Sequence, residues 1–463
     1  MCGVVGISTT ADEAARLGYF GLFALQHRGQ EAAGIAASDG RVVRQHKAEG
    51  LVSQVFEAGQ LDALVGSQAI GHTRYSTTGA PGHRNTQPFL IETMFGPLAL
   101  AHNGNIVNAA ELRTDLLARG MGLQSSSDSE VMTLMLASMA GTNWEERLAQ
   151  AMHHWMGAFS ITLLTSNQVL ACRDRWGFHP LHVGELPDRG HAIASETGAL
   201  RTLGCTRMTE VAPGEIVVLE GDDIRHIPAI DPAARGARCS FEHIYFTRPD
   251  ADWDDRNVHD VRQRLGRILA RESPVAADVV IPVPDSSTPA AIGYAAEAGI
   301  TYTEGFVKNR YIGRTFIEPT AHLRKQGVAL KFTTLPSNLA GKRVVMVDDS
   351  IVRGTTSLQL VQMVRDAGAS EVHVRVTCPP ITHPCHFGVD MGTYEELIAH
   401  HRTVPEINDY IGADSLAFLS LEGMRTAIGD PSQHCDACFT GDYPVPVQLS
   451  LDGLKGQFEG MLQ

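Results

Sequence analysis

Apolar residues follow two different patterns along this chain, and the change falls near residue 235. Before that point, short apolar runs are separated by turn-forming dipeptides. The runs are CGVVGI (2–7), RVVRQH (41–46), AIGHTRYS (69–76), LALAHNG (98–104), FSITLLT (159–165), QVLACRD (168–174), AIAS (192–195) and EIVVLEG (215–221), and the dipeptides include Pro81-Gly82, Asn103-Gly104 and Pro213-Gly214. Such runs predict strands. With a helical pattern over 128–139, they predict an α+β fold with antiparallel sheets.

The second half has the pattern of alternating strands and helices. VVIPVP (279–284), RVVMVD (343–348) and VHVRVT (372–377) are continuous β-branched runs, which are typical of strands buried on both faces of a parallel sheet. The run 357–368 between two of them predicts a helix that ends at a glycine. With 231–240 as the linker, we predict domains over 2–235 and 236–463, the second of them α/β.

Composition narrows the possible functions. The 463 residues include 38 basic and 52 acidic side chains, and a net charge of −14 argues against a nucleic-acid coat. No apolar run approaches the ~20 residues that span a bilayer, and the N-terminus lacks the pattern of a signal peptide. We therefore expect a cytoplasmic protein with no nucleic-acid or membrane partner. Its eight cysteines are then not a disulfide framework.

Cys2 directly follows Met1, so removal of the methionine would leave it with a free α-amine. The pKa of an α-amine is about 7.7–8.0, so the neutral fraction near pH 7 can accept the proton of the adjacent thiol. A cysteine in this position is therefore a candidate nucleophile that needs no separate histidine. The alternative is a small buried residue beside a strand.

Four further motifs follow Cys2 in order, and they are LQHRGQEAAGI (25–35), GHTRYSTTG (71–79), LAHNGNIVN (100–108) and SSSDSE (125–130). Over about 2–230 the chain thereby resembles the N-terminal-nucleophile (Ntn) hydrolase fold of glutamine amidotransferases. The resemblance implies that Cys2 attacks the glutamine carboxamide, and that Asn103 and the Gly104 N–H form the oxyanion hole. It also implies that Arg74 binds the glutamine carboxylate and Asp128 its ammonium group.

Each of these residues also has an ordinary structural interpretation. Arg74 could form a surface ion pair, and Asn103-Gly104 could be a hairpin turn. Asp128 could be a helix N-cap, and it could serve as both cap and ligand.

In the second half, the run 343–348 leads into Asp348 and Asp349 and then into a small-residue loop and an amphipathic helix. Backbone N–H groups of such a loop, with the helix dipole, can bind a phosphate. The candidate residues are Arg353, Gly354, Thr355, Thr356 and Ser357. The two carboxylates could hold sugar hydroxyls or Mg²⁺. The alternative is an acidic strand end that caps a helix.

This segment resembles the phosphoribosyl pyrophosphate (PRPP) signature of type I phosphoribosyltransferases. VPDSSTPAA (283–291) resembles their pyrophosphate loop, and 308–328 resembles their mobile loop. The resemblance implies that Ser286 joins Asp348 and Asp349 around Mg²⁺. It also implies that pyrophosphate is neutralised by Lys308, Arg310 and Arg314. A solvated surface loop is the alternative for the last segment.

Together the two halves resemble the family of glutamine phosphoribosylpyrophosphate amidotransferases. The resemblance implies that PRPP, glutamine and water give 5-phosphoribosylamine, glutamate and pyrophosphate, the first step of purine synthesis. It also implies homotetramers and feedback inhibition by purine nucleotides. Three alternatives are a glutaminase with another acceptor, a PRPP-sensing regulator, and an iron–sulfur redox sensor.

Cys435 and Cys438 form a C-x-x-C pair. With Cys239 and Cys385 they match the subgroup of that family that carries a [4Fe–4S] cluster, for which the resemblance implies these four ligands. A Cys₄ zinc site or no metal is the alternative. Some members of the subgroup carry a propeptide, whereas maturation here would need removal of Met1 alone. We interpret the remaining cysteines, Cys172, Cys205 and Cys378, as structural.

Overall fold

The computed structural model describes residues 1–75, 82–188, 190–309 and 331–447. No helix within these ranges is long and apolar enough to cross a membrane.

The first half contains two antiparallel sheets with helices outside them. Its elements are β1 (Gly3–Thr9), α1 (Ala14–Ala24), β2 (Ala32–Ser38), β3 (Val43–Glu49), α2 (Val52–Val55), α3 (Ala58–Ala63), β4 (Gln68–Arg74), β5 (Phe89–Thr93), β6 (Gly96–Ile106), α4 (Ala109–Ala118), α5 (Asp128–Ser138), α6 (Trp144–His154), β7 (Gly157–Leu164), β8 (Val169–Arg173), β9 (His182–Glu185), β10 (Gly190–Ala194), α7 (Thr197–Thr202), β11 (Thr206–Glu210), β12 (Glu215–Glu220) and β13 (Asp223–Pro228). One sheet has the order β11-β9-β10-β1-β4-β2-β3 and the other has the order β13-β12-β8-β7-β6-β5.

The alternation of side chains along the strands explains the layering. Ile70 of β4 packs with Ala101 of β6 in a core between the two sheets. Its neighbour Ala69 points the other way and packs with Leu22 of α1. Because successive strand residues face opposite sides, one apolar strand fills both cores. The predicted α+β half with antiparallel sheets is confirmed.

The prediction of a turn at Asn103-Gly104 is wrong. Both residues lie inside β6 and pair with β7, Asn103 opposite Ser160 and Gly104 opposite Phe159. The strand continues through these residues because β7 pairs with it, although Gly104 has a φ of 144°. The turn predicted at Pro213-Gly214 is confirmed, with a φ of 79° at the glycine.

The helix predicted over 128–139 is α5, and its cap is Ser127 rather than Asp128. The Ser127 side chain accepts the backbone N–H of Ser129. Asp128 is therefore the first helical residue, and its carboxylate is available for other contacts.

The second half is built on a parallel sheet of order β18-β17-β21-β22-β23. Its elements are β14 (Arg238–Cys239), β15 (Asp252–Trp253), β16 (Arg256–Asn257), α8 (Val258–Glu272), β17 (Val279–Pro282), α9 (Thr288–Ala298), β18 (Thr301–Tyr302), β19 (Phe306–Lys308), β20 (Phe332–Thr334), α10 (Pro336–Leu339), β21 (Arg343–Asp348), α11 (Thr355–Asp366), β22 (Glu371–Val376), α12 (Ile398–His401), α13 (Val404–Ile411), β23 (Ser415–Phe418), α14 (Leu421–Ile428), β24 (His434–Cys435) and α15 (Ala437–Thr440). The three predicted strands are its central members, which confirms the α/β prediction.

The segment predicted as a linker makes backbone hydrogen bonds to both halves. The Ala237 N–H donates to the Trp176 carbonyl at 2.8 Å. The strand β14 then pairs in parallel with β24, near the end of the described chain. The division at residue 235 itself stays a prediction.

We expect Gly266→Ala to destabilise the protein by about 1–3 kcal/mol through overpacking. A Cβ atom at Gly266 of α8 would lie 1.9 Å from the Ala290 carbonyl oxygen of α9, so the two helices would have to separate. Thermal unfolding measures the effect. In the control Gly59→Ala, also helical, the added atom meets nothing within 4 Å, and the melting temperature should hold or rise slightly. Equal stability of the two variants would contradict this account.

Candidate active site

Cys2 lies just before β1, beside the end of β4. Its Sγ atom is 3.5 Å from both the backbone nitrogen and the carbonyl oxygen of Tyr75. Its backbone nitrogen donates to Asn103 Oδ1 at 2.9 Å. In the chain as described, that nitrogen belongs to the Met1–Cys2 peptide, and Met1 is buried against the core of the second half. Removal of Met1 would turn the same nitrogen into an α-amine already bound to Asn103.

Asn103 is fully buried, and its Nδ2 has no hydrogen-bond partner among the described residues. A buried donor without a partner is costly unless a ligand completes it. Beside it, a Cβ atom at Gly104 would lie 2.1 Å from the Ala158 carbonyl oxygen, so only glycine fits. A buried amide donor next to a side-chain-free backbone has the chemistry that an oxyanion requires.

Arg74 is 4% exposed, which excludes the surface ion pair. Burial lowers the pKa of its guanidinium, and nearby acidic groups oppose that effect. These groups are Cys2, Glu31, Glu49 and Asp128. Arg74 therefore lies in one electrostatic neighbourhood with the candidate nucleophile and with Asp128.

Asp128 is buried at the start of α5, where one carboxylate oxygen accepts the Ile106 N–H at 3.2 Å. The ring of His102 lies 3.7 Å from the same oxygen. Burial lowers the pKa of His102, although Asp128 opposes the shift. The structure thus brings together the four predicted glutaminase side chains, Cys2, Arg74, Asn103 and Asp128, while their roles stay predictions.

The pattern of the sequence did not reveal the role of Arg28, a fully buried residue inside the 25–35 motif. Its Nε donates to the Cys2 carbonyl oxygen at 2.9 Å. Its two terminal nitrogens bind Glu196 at 2.7 Å and Glu242 at 2.6 Å. Burial alone would lower the pKa of Arg28, but Glu242 and Glu196 raise it above its usual value. The only sequence feature that pointed to Arg28 was its place in the 25–35 motif. Its partners Glu196 and Glu242 lie in none of the motifs.

At the second site, Asp348 ends β21 and Asp349 follows it, and both side chains are buried. Burial raises the pKa of both carboxyls, and Asp349 raises that of Asp348 further. Ser286 Oγ donates to Asp349 Oδ2 at 2.5 Å. Adjacent buried carboxylates and a hydroxyl, at the ends of neighbouring parallel strands, fit an oxygen-ligated divalent cation such as Mg²⁺.

The loop after this pair turns at Gly354, which has a φ of 74° and precedes the first residue of α11. Thr355, Thr356 and Ser357 therefore form the first turn, whose N–H groups have no partner within the helix. One terminal nitrogen of the Arg353 guanidinium binds Glu396 at 2.6 Å.

Lys308 ends β19 and forms a salt bridge with Asp285 of the 283–291 segment. Arg310 and Arg314 lie outside the described residues. A further buried residue, Arg262, was not predicted, and Asp349 partly offsets the lowering of its pKa by burial, which brings it to about 10. It compensates charge beside the carboxylate pair.

The four candidate ligand cysteines converge from distant segments. The pairing of β14 with β24 places Cys239 opposite Cys435. Burial raises the pKa of the Cys438 thiol, and neighbouring Cys435, Cys239 and Cys385 raise it further. Cys385 Sγ accepts the Phe387 N–H at 3.4 Å. Within the described ranges, no three His, Cys, Asp or Glu side chains are already arranged as a metal site.

The cysteines interpreted as structural are all buried, and they are Cys172, Cys205 and Cys378. Cys378 is the unexpected one, because Asp349 and Asp348 add to the effect of burial in raising its thiol pKa. It is therefore near the carboxylate pair, and it also raises the thiol pKa of Cys438.

Known proteins match the chain over both halves. Residues 72–202 match a family model described as a glutamine amidotransferase domain. The chain is 47% identical to the amidophosphoribosyltransferase of Synechocystis sp., over 96% of this chain and 91% of that protein. It is 46% identical to the amidophosphoribosyltransferase of Bacillus subtilis, over 96% and 94%.

A solved structure, the B. subtilis glutamine phosphoribosylpyrophosphate amidotransferase complexed with ADP and GMP, superposes with a TM-score of 0.91. It is 46% identical, and the match covers 97% of this chain and 98% of that chain.

We expect Arg28→Met to destabilise the protein at neutral pH by about 3–5 kcal/mol, because two buried carboxylates lose their shared cation. Burial would raise the pKa of Glu196, but His27 and Arg28 lower it from 4.5 to about 2. In the wild type this carboxylate therefore stabilises the fold above about pH 4.5, and the contribution is lost as the pH falls through about 2.

Without Arg28, burial favours the protonated forms of Glu196 and Glu242. The difference in free energy of unfolding between the wild type and Arg28→Met should therefore shrink as the pH is lowered towards mild acidity. Urea unfolding at neutral and mildly acidic pH measures both effects. The control is Arg119→Met, which breaks an exposed pair with Asp115 and should change little. Similar losses in the two variants would show that the buried network has no special weight.

Proposed function

The chain belongs to the amidophosphoribosyltransferase family, and from that premise we propose that it converts PRPP, glutamine and water into 5-phosphoribosylamine, glutamate and pyrophosphate, the first step of purine synthesis. One observation carries the proposal. A buried cysteine lies beside an amide donor that has no partner among the described residues, in the same chain as a buried carboxylate pair before a phosphate-type loop.

In the proposed glutaminase half-reaction, the α-amine of mature Cys2 takes the thiol proton, and the thiolate attacks the glutamine carboxamide. Asn103 Nδ2 and the Gly104 N–H stabilise the tetrahedral oxyanion. The amine then returns the proton to the leaving ammonia, and water hydrolyses the thioester to glutamate. Arg74 and Asp128 hold the carboxylate and ammonium groups of the substrate.

In the second half-reaction, ammonia attacks C1 of PRPP and pyrophosphate leaves. Asp348, Asp349 and Ser286 would hold Mg²⁺, which supplies charge neutralisation for the leaving pyrophosphate. The loop Arg353–Ser357 binds the 5-phosphate through backbone N–H groups. Lys308, with Arg310 and Arg314, adds positive charge around the pyrophosphate. Because ammonia protonates in water and then has no lone pair, it must pass between the sites without reaching solvent.

We also propose that Cys239, Cys385, Cys435 and Cys438 hold a [4Fe–4S] cluster. Four half-buried thiols in one neighbourhood fit such a cluster. Burial raises the thiol pKa of three of them, and a backbone N–H donated to each sulfur partly opposes that shift and so favours the thiolate. The donors are Phe241 to Cys239, Phe387 to Cys385 and Ala437 to Cys435. Hydrogen bonds of this kind accompany metal-bound sulfur. The competing occupant is zinc.

Regulation and assembly are proposed from the relatives. The B. subtilis structure holds ADP and GMP, and another matching structure is described as the allosteric regulatory enzyme of purine biosynthesis, at 46% identity and a TM-score of 0.91. We propose that purine nucleotides inhibit this chain, and that it acts as a homotetramer in the cytoplasm.

The test of the function is glutamate release from glutamine by anaerobically purified protein, with and without Mg²⁺-PRPP. We expect strong stimulation by PRPP and formation of pyrophosphate. Asn103→Ala should lower the glutamine-dependent rate by about 10²–10³-fold through loss of an oxyanion donor, while synthesis from free ammonia persists. The matched control is Asn167→Ala, at an exposed asparagine, which should leave the rate unchanged. Glutamate release indifferent to PRPP would mean another acceptor, and no turnover would mean a PRPP-sensing protein.

The test of the cluster is metal analysis of the anaerobic protein. We expect a brown protein with about four iron atoms per chain, and loss of that iron in Cys435→Ser. Cys205→Ser removes a buried cysteine of the first half and should keep the iron. A colourless wild-type protein that contains stoichiometric zinc would contradict the iron–sulfur assignment.

A further inference from the structure

A loop of the second half enters the first half next to the oxyanion residues. This loop, residues 385–390, is called the junction loop below. The Asn105 side chain donates to its His386 carbonyl at 2.8 Å. The ring of Phe387 stacks on Phe178 at 4.4 Å between centroids. Asn105 lies in β6, the strand that carries Asn103 and Gly104, and Phe178 lies in the loop between β8 and β9.

The closest approach is between two glycines. A Cβ atom at Gly388 would lie 3.1 Å from the carbonyl carbon of Gly104 and 3.2 Å from its Cα. Gly388 has a φ of 114°, which glycine adopts without strain. The backbone of the junction loop therefore packs directly on the backbone of the predicted oxyanion donor.

The loop also contacts Tyr75, a neighbour of the Cys2 thiol. The Tyr75 hydroxyl donates to Asp390 Oδ2 at 3.2 Å. Tyr75 directly follows β4, and its backbone nitrogen and carbonyl oxygen lie 3.5 Å from Cys2 Sγ. The loop thus contacts Tyr75, which adjoins the candidate nucleophile, as well as the strand of the oxyanion residues.

The oxyanion end of β6 needs such support. The pairing of β5 with β6 stops at Leu100, opposite Phe89. The pairing of β6 with β7 continues to Ile106. Residues 101–106 therefore pair with β7 but not with β5. The junction loop contacts two of them, Asn105 and Gly104.

The loop is itself closed and anchored. The Cys385 N–H donates to the Met391 carbonyl at 2.8 Å, which joins its two ends. Just before it, the Pro384 carbonyl accepts the Tyr443 hydroxyl at 2.7 Å. A short loop pinned at its base is a stiff support.

We propose that the junction loop is a positioning element of the glutaminase, in which Gly388 and Asn105 are positioning residues that hold Gly104 and Asn103 in the geometry an oxyanion needs. The inference rests on the proposed function. The second half thus does more than accept ammonia, because it completes the site that generates it.

The test compares two glycines of one segment. In Gly388→Ala, the added atom pushes on Gly104, and we expect kcat for glutamine-dependent synthesis to fall by about tenfold to a hundredfold, as for ångström-scale misplacement of a catalytic group. The KM for glutamine, the rate with free ammonia and the iron content should stay near wild type. Gly392→Ala is the control, because its Cβ meets nothing within 4 Å. Asn105→Ala carries the same expectations if Gly388→Ala does not fold.

Unchanged kcat in Gly388→Ala and Asn105→Ala would overturn the inference. So would an equal loss with ammonia, or an equal loss in Gly392→Ala. If the wild type makes no phosphoribosylamine from either nitrogen donor, the proposed function fails separately. Alkylation of Cys2 by 6-diazo-5-oxo-L-norleucine then decides the inference. Slower labelling in Gly388→Ala than in Gly392→Ala supports it, and equal labelling overturns it.

Discussion

The Arg28 guanidinium is the interaction on which the arrangement of the two halves depends. It binds the Cys2 carbonyl, Glu196 of the first half and Glu242 of the second. None of the three charged side chains is exposed, so each is stable only with the others present. The His179 ring, 3.4 Å from Glu242, extends the network. The backbone of the candidate nucleophile is thereby tied to the domain that would use its ammonia.

Elsewhere the structure buries groups whose stability requires a ligand. Asn103 Nδ2 lacks a partner within the described chain, and Asp348 and Asp349 carry raised pKa values side by side. Unpaired buried donors and adjacent buried carboxylates are unfavourable on their own. Both become favourable when an oxyanion or a divalent cation is present, so they identify the sites more sharply than their motifs do.

Predictions from local pattern succeeded where the cause was local. The runs at 279–284, 343–348 and 372–377 are central strands because β-branched apolar residues suit a doubly covered sheet. The pattern failed at Asn103-Gly104, where the dipeptide has turn chemistry but β7 keeps the strand paired. The alternative role considered for Asp128, that of helix cap, belongs instead to Ser127, one residue before it. In both cases a neighbour outside the motif residues decided the structure, namely strand β7 for the dipeptide and Ser127 for the helix cap.

The sequence by itself determined the fold class of each half and most of the chemical groups at each site, because each group stands in a short motif with a recognisable local pattern. Only the tertiary structure decided how the sites meet. The contacts of Arg28 with Glu242 and of Gly104 with Gly388 join residues from opposite halves. No periodicity encodes such pairs, since they arise from the packing of whole domains. The convergence of four cysteines from separate segments has the same origin.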